Sequence, residues 1–276
     1  MKNFSVNTES LLIMGIINAT PDSFSGDGIF SKNKYSLEKE CEIMIKNGVD
    51  IIDVGGESTR PKKVYKDVKF VSEDEELNRV IPIIEKINKN FEVVISIDSK
   101  KHEVIKESIK AGAKIVNDIS MLEDDNIIKY LVNNNVYYVL NHFRQKQKHI
   151  NIVPEVLEDL AGKIELLVTS GFEREKIILD PGIGFGKSFK HSKDILSNLE
   201  IMKNSFNLPI MIGTSRKSFI GEYTGKNIDQ RIFGTAATVA FSILNGANIL
   251  RVHDYSEMMD VVKMINILNK SKIKNA

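Results

Sequence analysis

KIILDPGIGFGKS, residues 176 to 188, begins as a short apolar strand and turns at Asp180 into a loop carrying Gly182, Gly184 and Gly186. Its closing Gly-Lys-Ser raises the question of a nucleotide phosphate cradle. That motif is Gly, four residues, then Gly-Lys-Ser or Gly-Lys-Thr; counting back from Gly186, the first position is Pro181. The dinucleotide fingerprint fails too, because Lys187 stands where its third glycine belongs. What remains is a buried strand that ends in a carboxylate and opens a loop.

That unit recurs along the chain. LLIMGII (11–17), DIIDVG (50–55), VVISID (93–98), KIVND (114–118), VYYVL (136–140), KIILD (176–180), PIMIG (209–213) and NILRV (248–252) are short apolar runs, each read as a strand buried on both faces. Amphipathic, helix-length segments separate them, as in KHEVIKESIKAG and DDNIIKYLVNNN. Several of these helices stop at a glycine leading into the next strand, at Gly48, Gly112, Gly171 and Gly246. No Pro/Gly/Ser-rich linker divides the chain, so residues 1–276 are expected to form one α/β domain, a (β/α)8 TIM barrel. A doubly wound open sheet is the alternative.

With 42% hydrophobic and 27% charged residues, the chain has enough apolar material for a sizeable core and reads as globular. A formal net charge of +1 gives no electrostatic case for nucleic acid or an anionic membrane. Cys41 is the only cysteine, which excludes a disulfide framework and a cysteine zinc site and leaves a packed core thiol. The opening MKNFSVNTES has no signal-peptide apolar stretch, and no run approaches the ~20 residues that span a bilayer. A cytoplasmic location is the default expectation.

Polar groups follow the apolar runs: Asn18, the Gly55-Gly56-Glu57 turn, Asp98, Asn117, Asn141-His142, Asp180, Ser215-Arg216-Lys217, and Arg251 with His253. A barrel brings all such ends to one rim, where barrel enzymes keep their active sites. Asp98, Asn117 and Asp180 are acceptor-rich, and a carboxylate accepts two parallel N–H bonds from an amidine-like edge. The set suits a guanine- or pterin-like ring better than a sugar, although Asp and Asn in these places also cap helices. Arg216, Lys217, Ser218, Arg251 and His253 form a basic cluster in the last loops, fit for a diphosphate or a carboxylate. The Gly-rich loop would let backbone approach a flat ring, with Phe185 packing nearby.

The loop from Asn18 through Asp22 to Phe24 and the long GGESTRPKKVYKDVKFVSEDEE (55–76) are read as elements that close over the mouth. Asn18 and Asp22 offer oxygen ligands for a Mg2+ shared with phosphate. His102, His149 and His191 read as surface histidines, and FRQKQKHI (143–150) as a solvated face.

MGIINATPDSFS, DIIDVGGESTRP, SIDS, VNDIS, ILDPGIGFGK, GTSRKSFIG and RVHD resemble, in order, the signature segments of the bacterial dihydropteroate synthases. The likeness runs from about residue 12 to residue 265. It implies a (β/α)8 barrel that joins 6-hydroxymethyl-7,8-dihydropterin diphosphate to 4-aminobenzoate with Mg2+, on the folate pathway, and that is a sulfonamide target and a homodimer. By the same resemblance Asp98, Asn117 and Asp180 read the pterin edge, with Lys217 and Phe185 at the ring. Asn18, Arg251 and His253 would hold the diphosphate, and Asn18 and Asp22 the metal. Phe24, Thr59, Arg60, Phe185 and Ser218 would shape the aminobenzoate pocket. Two departures stand out: the first loop reads Ser25-Gly26-Asp27-Gly28, with one glycine displaced, which leaves open whether Asp22 or Asp27 faces the metal. Asn141 replaces a methionine frequent in the family. A pterin-dependent methyltransferase or a catalytically inactive pterin-binding barrel are the other readings; a methyl-pterin has no diphosphate to explain the basic cluster.

Overall fold

The computed structural model describes residues 4–19, 36–57, 71–144 and 151–270. The expected mouth-closing segments fall largely outside them, and with them Asp22, Phe24, Asp27, Thr59 and Arg60, as does His149.

The apolar runs become the strands β1 (Leu12–Asn18), β2 (Ile51–Gly55), β3 (Val94–Asp98), β4 (Ile115–Asp118), β5 (Tyr137–Asn141), β6 (Ile177–Asp180), β7 (Met211–Ile212) and β8 (Ile249–Val252). They form one eight-stranded sheet in the order β6-β5-β4-β3-β2-β1-β8-β7, with every named pairing parallel. A parallel bridge between Leu179 and Ile210 brings the two ends together, and the Leu179 N–H donates to the Pro209 carbonyl at 2.8 Å. The sheet is therefore a barrel, not an open doubly wound sheet.

Among the described residues the helices are α1 (Leu37–Lys46), α2 (Glu73–Asn90), α3 (His102–Ala111), α4 (Asn126–Val132), α5 (Ile152–Thr169), α6 (Phe189–Ser197), α7 (Leu199–Phe206), α8 (Ser218–Thr224), α9 (Ile232–Leu244) and α10 (Tyr255–Lys270). The anticipated stop glycines all take positive φ, from 85° at Gly48 to 124° at Gly112. The charged end of the second long loop is not loop. Glu73–Glu76 form the first turn of α2, because the Ser72 hydroxyl accepts the Glu75 N–H at 3.2 Å and the acidic turn suits the positive helix end. Cys41 is buried on α1, and burial pushes its thiol up to about 12.

Side chains alternate along each strand, so every second residue faces the barrel interior. Met14, Ile51, Ile115, Val139, Ile178, Met211 and Ile249 meet there in one cluster, joined by Val6 from the N-terminal segment. Two residues further along, the same inward faces carry Asp53, Asn117, Asn141, Asp180 and Arg251. The barrel therefore has an apolar floor and a polar mouth. The outward faces pack with the helices in the larger core, which includes Ile52, Ile97, Leu140 and Leu179.

Candidate active site

Parallel register sets the rim. Asn18 is level with Gly55, Gly55 with Asp98, and Asp98 with Asn117. Across β5 and β6, Asn141 is level with Asp180. Asp98, Asn117, Asn141 and Asp180 are all buried. The Asp98 Oδ1, Asn117 Oδ1 and Asn141 Oδ1 atoms are buried with no hydrogen-bond partner among the described residues. Unpaired buried acceptors are costly and are met by a ligand or water in working sites. They make this mouth a receptor for N–H donors.

Arg251 spans two carboxylates. Its Nε donates to Asp53 Oδ2 at 2.6 Å and its Nη2 to Asp98 Oδ2 at 2.6 Å. Burial opposes the guanidinium charge, but the two carboxylates outweigh it and hold Arg251 above its ordinary value. Burial also lifts the Asp98 carboxyl well above the usual range, against the pull of Arg251. Asp98 does not cap α3, whose N-cap Lys101 makes no side-chain cap bond. Next to Asn117, Asp118 holds local structure instead, accepting from Ser120 N–H at 2.7 Å and from the Tyr138 hydroxyl at 2.6 Å.

The Gly-rich loop is shaped by close backbone approach. Gly182 has φ of 70°, and a Cβ there would lie 2.0 Å from the His142 carbonyl oxygen. Asp180 Oδ1 accepts the Gly182 N–H at 2.7 Å, fixing the turn; burial pushes this carboxyl up, with Lys217 pulling it back. Lys217 reaches in from the loop after β7, donates to the Ile183 carbonyl and lies 4.5 Å from the Phe185 ring centroid. Burial brings the Lys217 ammonium down to about 8, so it stays charged at neutral pH. Lys187, which sequence reading passed over, is buried and ties the loop to β5, donating to the carbonyls of His142 at 3.0 Å and Phe185 at 3.4 Å.

His142 is fully buried, with Nε2 2.9 Å from Asp159 Oδ2. Burial pushes the imidazole down to about 4 despite Asp159, so it is neutral at pH 7 and its Nε2–H donates. Arg144 pairs with Glu155 at 3.0 Å and Asp159 at 2.5 Å, so the start of FRQKQKHI is an ion-pair network rather than a solvated face. Residues 145–150 lie outside the described set.

In the basic cluster, His253 sits with Nδ1 3.1 Å from Ser215 Oγ, and Ser218 opens α8. Arg216 is spent elsewhere: its fork closes on Asp254, with Nε to Oδ2 at 2.9 Å. It is therefore removed from the anion-binding set, because the neighbouring carboxylate already satisfies its planar donors. Asp53 is the residue that reading the strand ends missed. It is entirely buried and accepts from both Arg251 and Asn117 Nδ2, the latter at 3.2 Å. Counting inward positions back from Gly55 in DIIDVG would have found it.

A family model described as pterin binding enzyme matches residues 14–253. The chain belongs to the pterin binding enzyme family. Within that family it is 42% identical over 269 residues to the dihydropteroate synthase of Clostridium beijerinckii, covering 97% of each chain. It also superposes on the Yersinia pestis dihydropteroate synthase solved in complex with a sulfonamide drug, with a TM-score of 0.87, 32% identity and 98% of each chain covered. The Xanthomonas albilineans dihydropteroate synthase solved with 4-aminobenzoic acid gives a TM-score of 0.87 at 31% identity, covering 96% of this chain and 95% of that one. The pterin binding family fold is thus a barrel, as the strand pattern anticipated. Among the described residues no helix is long and apolar enough to cross a membrane.

Proposed function

We propose that this chain is a dihydropteroate synthase, joining 6-hydroxymethyl-7,8-dihydropterin diphosphate to 4-aminobenzoate with loss of diphosphate. The observation that carries the reading is the set of buried, partnerless acceptors at the mouth, Asp98 Oδ1 and Asn117 Oδ1, with Asp180 and the Lys217 ammonium beside them. A 2-amino-4-oxo ring edge supplies N–H donors to the acceptors and a carbonyl to the ammonium. Full-length similarity to synthases favours this reading over a pterin-dependent methyltransferase.

Asp98, Asn117 and Asp180 bind the ring, with Lys217 and Phe185 against it. Arg251, His253 and Asn18 take the diphosphate. To do so Arg251 exchanges part of its contact with Asp98 for the incoming anion, which frees that carboxylate for the ring edge. Asn18 and Asp22 are an all-oxygen donor pair that suits Mg2+ shared with diphosphate oxygens. When bound, that cation would neutralise charge on the departing group. Phe24, Thr59, Arg60, Phe185 and Ser218 shape the arylamine pocket, which is also where a sulfonamide would compete. The amine nitrogen bonds to the methylene carbon of the ring as the C–O bond to diphosphate breaks, and the amine proton leaves to solvent. No side-chain nucleophile is required; orientation of two rings and stabilisation of the leaving anion supply the rate.

We further infer a cytoplasmic location and a homodimer. Support for the dimer lies on the neighbouring helices α9 and α10, where Phe233 is 86% exposed and Leu244, Met264 and Leu268 are each more than half exposed. Large exposed apolar side chains on adjacent elements mark association surfaces. A diphosphate-release assay tests the activity: release should need pterin diphosphate, 4-aminobenzoate and Mg2+ together. Equal release without the arylamine would identify a hydrolase instead.

A further inference from the structure

Asp53 lies below the rim, two residues before Gly55 on the inward face of β2, and is fully buried. Its Oδ2 accepts from Arg251 Nε at 2.6 Å and from Asn117 Nδ2 at 3.2 Å. Gly55, two residues on, has no side chain to place between them and the rim. Oδ2 already takes the guanidinium N–H, and a carboxylate oxygen in that role is an acceptor for its second neighbour as well. The Asn117 atom facing it therefore has to be the NH2 group. That settles which way the amide points: one N–H is committed to Asp53, and the Oδ1 atom, buried and partnerless, is left toward the site.

An asparagine amide is a reversible reading head. Turned over, it would offer NH2 where it now offers oxygen, and a ring with the opposite donor pattern would fit. Among the described residues Asp53 is the partner that holds Asn117 Nδ2, and the Asp98 carboxylate beside it is engaged by the other end of Arg251. We propose that Asp53 is a positioning residue that sets ring specificity by locking the Asn117 amide with its oxygen toward the substrate, while anchoring Arg251 from below. It touches neither substrate. The inference rests on the reading that Asn117 meets the amino-bearing edge of the ring.

The test compares two probes, 6-hydroxymethylpterin and its counterpart with oxygen in place of the 2-amino group, by calorimetric titration of the full chain. The wild-type protein should prefer the amino compound strongly. In Asp53→Asn the new amide satisfies Asn117 in either orientation, so the preference should narrow at least about tenfold, largely through a gain or smaller loss for the oxo compound. Adding Asp53→Asn to Asn117→Ala should change the ratio no further, because the residue through which Asp53 acts is gone. A purely structural role would weaken both probes alike and leave the ratio intact, and that result overturns the proposal. If Asn117→Ala leaves pterin affinity unchanged, the reading of the ring site fails and the inference falls with it. If Asn117→Ala weakens binding but Asp53→Asn preserves the ratio, the inference alone fails. Should Asp53→Asn not fold, side-chain amide exchange in the wild-type protein decides: one Asn117 Nδ2 hydrogen should be strongly protected with and without pterin, and rapid exchange of both would refute the lock.

Discussion

Asp180 already accepts the Gly182 N–H at 2.7 Å, and an asparagine there keeps that bond through its oxygen. Asp180→Asn should therefore fold, but present an NH2 to the donors of the ring edge and lose about 1–3 kcal/mol of pterin binding. Calorimetry that finds unchanged affinity in the folded variant would defeat the assignment. His142 makes a different prediction. Its imidazole, neutral and buried, titrates near 4 in the folded protein, below its ordinary value of 6.5. The unfolded chain thus binds the extra proton first, and stability should fall as pH drops from about 6.5 to 4, by at most about 3 kcal/mol. Denaturant melts of His142→Gln against the parent across that range should show a flatter pH dependence in the variant; parallel curves would contradict it. At this scale the sequence was legible only in part. Asp98, Asn117 and Asp180 were visible because they end apolar runs. Asp53, Lys187 and Asp159 were not, because their meaning comes from partners on other elements: a carboxylate in mid-strand looks like a pattern error until Arg251 and Asn117 are placed beside it.

The glycine-rich loop owes its form to backbone contact as much as to any ligand. Gly182→Ala puts a methyl group into the space of the His142 carbonyl and forces a left-handed φ on alanine, a strain of roughly 1–3 kcal/mol before any clash is relieved. The expected outcome is a lower melting temperature together with a loss of pterin affinity, since the loop carries the Ile183 carbonyl that receives Lys217. A variant with unchanged melting and binding would show that the loop tolerates displacement. Sequence reading placed these glycines near a ring but had no means to see the His142 carbonyl that Gly182 avoids. Ser72-Glu73-Asp74-Glu75 carried a usable signal, a capping box, and was absorbed into a loop because its charge masked it. The helix stops at Gly48, Gly112, Gly171 and Gly246 were legible because a positive φ is a local demand that glycine meets without a Cβ clash.

Over the whole molecule, eight apolar runs separated by amphipathic segments were enough to anticipate the barrel, since burial on both faces leaves parallel strands little polar surface. The exposed apolar face proposed for association was less legible, for the apolar residues of α9 and α10 look in sequence like ordinary core positions. Phe233→Asp should shift the protein toward monomer in sedimentation experiments while the barrel stays folded; a wild-type protein already monomeric at micromolar concentration would remove the basis for a dimer. The floor of Met14, Ile51, Ile115, Val139, Ile178, Met211 and Ile249 has a kinetic consequence. A vessel sealed at the base has a single doorway, so everything that enters must leave by the same route. On the proposed reading, a ring seated deepest against Asp98 and Asn117 would have to arrive before anything that sits above it, and the joined product would depart only once the small anion had cleared the threshold. Turnover is then a queue whose order is written in depth rather than in affinity.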